Sequence, residues 1–159
     1  MPSVISHAII GYLLFEEKGA FYSILPDLIG FGSYFTKLGL NYKNINFKKK
    51  MITWAPISKM SKNDWFLYNT SHSLILWCII YYILRDKAIY SAILSIIMDI
   101  FLHSNDTWKG PAFLYPFSEY RYDGIHWLSK KGMLITASVI ILLLLIPKEQ
   151  IKKIIDTLP

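Results

Sequence analysis

Several common routes to chemistry are closed to this chain. It has one cysteine, Cys78, in 159 residues, which excludes an intrachain disulfide and a Cys-x-x-Cys metal site. It has no GxGxxG or GxxxxGK(S/T) glycine loop, so nucleotide binding has no support. It also lacks the GxSxG elbow of serine hydrolases. Ser73 adjoins His72, but neighbours on a helix point about 100° apart, which places the pair poorly for nucleophilic catalysis. No repeat or low-complexity segment is present. No Lys or Arg precedes the first apolar run, so no cleavable signal pattern is expected. Acids are scarce, 11 Asp and Glu against 17 Lys and Arg, for a net charge of +6, and histidines number four.

What the chain has in excess is apolar surface. It is 53% hydrophobic and 16% aromatic, with mean hydropathy +0.34, and the apolar residues fall in blocks. The expected class is all-α: an integral-membrane bundle of about four to five short helices with an aromatic interfacial loop, forming one domain over residues 1–159. The cations lie between the blocks, so membrane lipids with anionic headgroups are the expected partners, and nucleic acid is not.

Taken in order, residues 4–15 read as a short apolar helix holding His7 and broken by Glu16, Glu17, Lys18 and Gly19. Residues 21–35 are a second apolar segment, weakened as a helix by Pro26, Gly30 and Gly32 and carrying a single charge, Asp27. The basic loop 37–64 follows, with Lys37, Lys43, Lys48, Lys49, Lys50, Lys59 and Lys62 against Asp64 alone. The positive-inside rule places it in the cytoplasm, with the chain multi-pass in the cell inner membrane if the source is bacterial. Residues 65–84 read as a third segment with an N-cap at Asn69, Thr70 or Ser71. After the turn Arg85-Asp86-Lys87, residues 88–103 return antiparallel, placing His72 and His103 at one end of the pair. Residues 104–131 form a loop whose Trp108, Tyr115, Tyr120, Tyr122 and Trp127 suit a headgroup-level position. Residues 132–146 form the last apolar helix, followed by a basic tail with Lys148, Lys152 and Lys153.

Polar residues in apolar ground need a reason. Asp99 and His103 are spaced i, i+4, so both lie on one helix face. A carboxylate in so apolar a run is costly unless something pairs with it. His7, Asp27 and His72 occupy similar ground. Together the five offer nitrogen and oxygen ligands suited to a divalent metal, with zinc first and manganese or iron as alternatives. Each also has a simpler reading: an interfacial histidine at His7, helix caps at Asp27 and His103, a bond within its own cap at His72, an interhelical bond at Asp99.

These residues and their surroundings resemble a family. The pieces are SHAIIG with His7, LPDL with Asp27, TSHSL with His72, DIFLHS with Asp99 and His103, and the aromatic segment PAFLYPFSEYRYDGIHW. In this order, from Ser6 to Trp127, the sequence is similar to the membrane-bound metal-dependent hydrolases, the YdjM-like family. That family is related to the zinc-dependent phospholipase C and zinc nuclease superfamily. One position departs: the family's histidine four residues before the aspartate is Ser95 here. That loss implies one metal in place of two, weaker binding, or a chain that no longer hydrolyses.

The resemblance implies a membrane-bound, metal-dependent hydrolase acting on a phosphoester or lipid-like substrate through a metal-activated water. His7, Asp27, His72, Asp99 and His103 would be the metal ligands. Asp27 or Asp99, whichever is not ligating, would be the catalytic base, and Lys109 and Arg121 would hold a phosphate. His126 is an outer-sphere or interfacial residue. The alternative is a non-catalytic membrane scaffold or partner-binding protein in which the Asp/His set is interhelical hydrogen-bond glue. A transporter lacks the expected internal repeat.

Overall fold

The computed structural model describes residues 4–40, 60–104 and 110–159. Among them are six helices and no strand: α1 (Val4–Leu40), α2 (Lys62–Ser71), α3 (Leu74–Leu84), α4 (Tyr90–Phe101), α5 (Lys130–Leu145) and α6 (Lys148–Thr157). A 3-10 turn, Lys87–Ile89, leads into α4. The all-α expectation holds, with more elements than the four to five expected. Most of the basic loop 37–64 lies outside the described residues, as do Trp108 and Lys109.

α1 is a hairpin. Phe15 (φ −137°, ψ 23°) and Glu16 (φ 55°, ψ −143°) leave helical geometry, while Glu17, Lys18 and Gly19 are helical again. The break is thus two residues wide and earlier than the charges suggest. Glycine makes it feasible: a Cβ on Gly11 would lie 2.3 Å from the Gly19 carbonyl oxygen, and one on Gly19 only 2.1 Å from that of Gly11. The two arms touch through bare backbone. The second arm runs unbroken through Pro26, so the expected weakness over 21–35 does not end the helix, and Asp27 caps nothing.

The expected single segment 65–84 is two helices. They meet at His72–Ser73 and are bent by 52°. Ser61 and Asp64 form a capping box at the start of α2. Ser73, rather than Asn69, Thr70 or Ser71, caps α3 by accepting from the Leu76 amide at 3.4 Å. Arg85 ends α3 in the left-handed region (φ 54°). The tail is helical too: α6 turns 101° away from α5, and Lys87 Nζ donates to the carbonyls of Ile155 at 3.2 Å and Asp156 at 3.1 Å.

Packing is split among three small apolar clusters. Phe31 and Tyr34 of α1 meet Met60 and Tyr68. Trp77 of α3 meets Ile89, Ala92, Ile96 and Ile100. Ile10 meets Met98 and Leu102, with Val139, Ile140 and Leu143 of α5 against them. No described helix is by itself long and apolar enough to cross a membrane, whereas α2 with α3, and α5 with α6, qualify as bent pairs. Eleven residues of α3 rise only about 16 Å, against about 30 Å of bilayer hydrocarbon.

Candidate metal centre

The α1 hairpin brings His7 on one arm beside Asp27 on the other. The α2–α3 break presents His72 to them, and the end of α4 supplies Asp99 and His103. All five are buried, at 1–3% exposure. At the bend between α2 and α3, His72 Nε2 comes within 3.3 Å of Asp27 Oδ1 on the second arm of α1.

The contacts alternate between acid and imidazole. His7 Nε2 lies 3.2 Å from Asp99 Oδ1 and 3.9 Å from Asp27 Oδ2. His72 Nε2 lies 3.3 Å from Asp27 Oδ1 and 3.6 Å from Asp99 Oδ2. Ligand atoms of His7, Asp27 and Asp99 fall within 4.8 Å of one another, so this buried trio can hold a metal ion. His103 stands at the edge: its Nδ1 is 2.6 Å from the Asp99 carbonyl oxygen and 3.8 Å from Asp99 Oδ1.

Tautomer chemistry sharpens the arrangement. His72 Nδ1 lies 3.0 Å from the Tyr68 carbonyl and 3.1 Å from Ser71 Oγ, whose hydroxyl itself donates to that carbonyl at 3.1 Å; the tautomer with its proton on Nδ1 donates to the carbonyl as well. In that tautomer the lone pair of Nε2 faces two carboxylate oxygens. Acceptors facing acceptors in a buried site require a cation among them or an extra proton. Holding Nδ1–H on a backbone carbonyl while Nε2 faces the ion is the usual outer-shell arrangement of a metal-ligating histidine. Two further atoms are buried with no hydrogen-bond partner, His7 Nδ1 and Asp27 Oδ2. Among the ion pairs of the described residues, Asp27 and Asp99 face imidazoles only.

The remaining sequence candidates lie elsewhere. Ser95 is buried on the Asp99 face, but its hydroxyl donates to the Ala92 carbonyl at 2.8 Å within its own helix. Arg121 Nη2 donates to Asn69 Oδ1 at 2.9 Å, Nη1 donates to the Gly110 carbonyl, and the guanidinium lies over the Trp65 ring. Partial burial pulls its pKa below the usual guanidinium value, though it remains a cation. Arg121 thus ties the 110–127 loop to α2. His126 Nδ1 accepts from the Leu128 amide at 3.2 Å and stays outside the cluster.

Three supporting residues escaped the sequence reading. Tyr68 offers the carbonyl that fixes His72. Trp77 donates its indole N–H to the Ser71 carbonyl at 2.7 Å, steadying the break that carries His72. Gly30 leaves room for both: a Cβ there would sit 2.8 Å from Ser71 Oγ and 3.2 Å from His72 Cε1. Only the polar run NTSHS hinted at the break. Comparison with protein-family models, curated proteins and solved structures finds no match to this chain.

Proposed function

We propose that this protein is a membrane-bound metal-dependent hydrolase of phosphoesters, of the YdjM-like kind that its motifs resemble, with zinc the first candidate ion and manganese or iron next. One observation carries the reading: His72 Nε2, with Nδ1 turned to the Tyr68 carbonyl and Ser71 Oγ, faces oxygens of both Asp27 and Asp99 inside a buried cluster. That donor set fits a borderline divalent ion.

His7, His72, Asp27 and Asp99 form the cage, and His103 lies one helical turn from Asp99 at its rim. A divalent ion held there would polarise a phosphoryl oxygen and acidify water at its open position to a pKa of about 7. Asp27 or Asp99, whichever is not ligating, would accept a proton from attacking water; Asp27 Oδ2 makes no hydrogen bond within the cluster. Arg121 would meet a phosphate by giving up one of its two loop bonds, and Lys109 is the second cation proposed for that role. The membrane part of the reading rests on exposed apolar rows: Ile79, Tyr82, Ile83 and Leu84 on α3, and Leu134, Ile141, Leu142, Leu144 and Leu145 on α5. The basic loop 37–64 would face the cytoplasm.

The test is elemental analysis of the detergent-purified protein beside an Asp99→Asn, His103→Ala variant. Stoichiometric transition metal in the parent, lost from a folded variant, is the expected result and opens a screen of phosphoesters and phospholipids. A second reading, a non-catalytic scaffold, draws on the contacts at 3.2 and 3.3 Å, His7 to Asp99 and His72 to Asp27. These are within hydrogen-bond reach, so protons alone can hold the cluster. No metal in either protein, with both folded, would select that reading.

A further inference from the structure

The loop after the last cluster residues is stitched to the site on one side and bare on the other. Ser73, next to His72, donates its hydroxyl to the Tyr115 carbonyl at 2.6 Å, and the Leu74 amide donates to the Phe113 carbonyl at 2.9 Å. Farther along, the Gly124 amide donates to the carbonyl of His103 itself at 2.7 Å. The loop's backbone is therefore fixed to the ends of the helices that carry His72 and His103. Its first residues turn inward, with Ala112 fully buried and Phe113 packed on the Trp77 cluster, while the tip turns outward: Phe117 is 82% exposed and Tyr120 61%, with Leu114 exposed beside them and Phe66 of α2 edge-on to Tyr115.

This bare face continues down the outside of α3. A shallow groove of about 490 Å³ is lined by Leu74, Ile75, Cys78, Ile79, Tyr82 and Leu114, with no charged residue among them. At its far end Arg85 lies 4.4 Å from the centroid of the Tyr82 ring. The order is an aromatic tip, an aliphatic wall, then tyrosine with arginine. Proteins that sit in lipid place aromatic rings at headgroup level, with aliphatic surface between and arginine stems reaching for the boundary. A protein partner would be expected to add charge complementarity, and this wall, uncharged from Leu74 to Tyr82, offers none.

We infer that the 110–125 loop seats the His/Asp end of the bundle in the bilayer interface, with Phe117 and Leu114 among the upper acyl carbons and the α3 wall against the chains below. The inference rests on the membrane reading given above and adds an orientation to it. The cluster then lies beside the headgroups, so the matching substrate is a phosphoester carried by a membrane lipid rather than one free in solution.

The single cysteine provides the test. Fluorophore is attached to native Cys78, and separately to Phe117→Cys or Tyr120→Cys in a Cys78→Ser background. Each full-length protein is reconstituted in phosphatidylcholine–phosphatidylglycerol vesicles. Quenching is read with lipids brominated on the acyl chain and with aqueous iodide. The expected result is loss of most fluorescence to bromine at all three positions, deepest at Cys78 and shallower at 117 and 120, with little loss to iodide. Bromine quenching at Cys78 with iodide quenching at 117 and 120 would overturn the loop's placement and leave the membrane reading standing. Iodide quenching at all three would overturn both. Phe117 and Tyr120 are surface side chains, so either substitution alone suffices if the other fails to fold.

Discussion

Two aspartates, just before and near the end of α4, each sit 3.2 Å from a basic nitrogen. Asp86 meets Lys18 across the surface, with side chains 27% and 75% exposed. Asp99 meets His7 with side chains 3% and 1% exposed. The distance is the same and the physics is not. At the surface, water screens both charges and the pair is worth about 0–1 kcal/mol. In the interior, neither group has water to return to, and taking one partner away leaves an uncompensated charge at about 3–5 kcal/mol. The chain uses the first pair to tie the α1 break to the α3–α4 turn, a task many residues could do. The second pair belongs to a cluster in which two acids share two imidazoles, and there no member can be replaced alone.

The comparison can be broken or sharpened by substitution. Asp99→Ala should be the most damaging change, costing about 3–5 kcal/mol in denaturant unfolding of the detergent-solubilised protein, together with all bound metal. A cost below about 1 kcal/mol would mean that the buried pair behaves like the surface one. Gly30→Ala should cost less, about 1–3 kcal/mol from overpacking against Ser71 and His72, and should weaken metal binding by displacing the ring. Ser71→Ala should leave the fold nearly intact and lower metal affinity by about tenfold, the lower end of outer-shell effects, as read by competition with a chelator. Lys18→Ala should shift stability by at most about 1 kcal/mol with metal content unchanged. Ser95→Ala, which removes a hydroxyl satisfied inside its own helix, should alter metal content least of all.

His7, Asp27 and Asp99 could be named from sequence because each is a polar anomaly in apolar surroundings, whereas His72 sits in the polar run NTSHS beside an apolar one. An aspartate in DIFLHS or LPDL stands out wherever the chain later puts it. Their assembly was harder to see. The placement of Asp27 depends on a bend at His72–Ser73, and residues 65–84 look like one segment because LILWCIIYYIL overwhelms the polar NTSHS before it. The turn in α1 was assigned to a run of charges, yet it is set by the mutual fit of Gly11 and Gly19, which only appears once both arms exist. Helix α6 was hidden by its charges, since KEQIKKIIDT has low mean hydropathy and gains its role by lying across neighbouring elements. One of the two contacts that orient His72 comes from a backbone carbonyl, that of Tyr68, and backbone leaves no trace in the identity of a side chain; the other, the Ser71 hydroxyl, is one polar residue among several in NTSHS.

The contact between Gly11 and Gly19 also sets a measure. It lies four residues from His7 and eight from Asp27, and at the crossing each glycine faces the other's carbonyl, with Ser23 and Phe15 packed alongside. The spacing of the arms is thus gauged by peptide against peptide, the least variable surface a chain possesses. The apolar side chains farther along can change in size or shape while the crossing holds His7 and Asp27 to the same gap. The hairpin works as a caliper closed on its own backbone, with its jaws at His7 and Asp27.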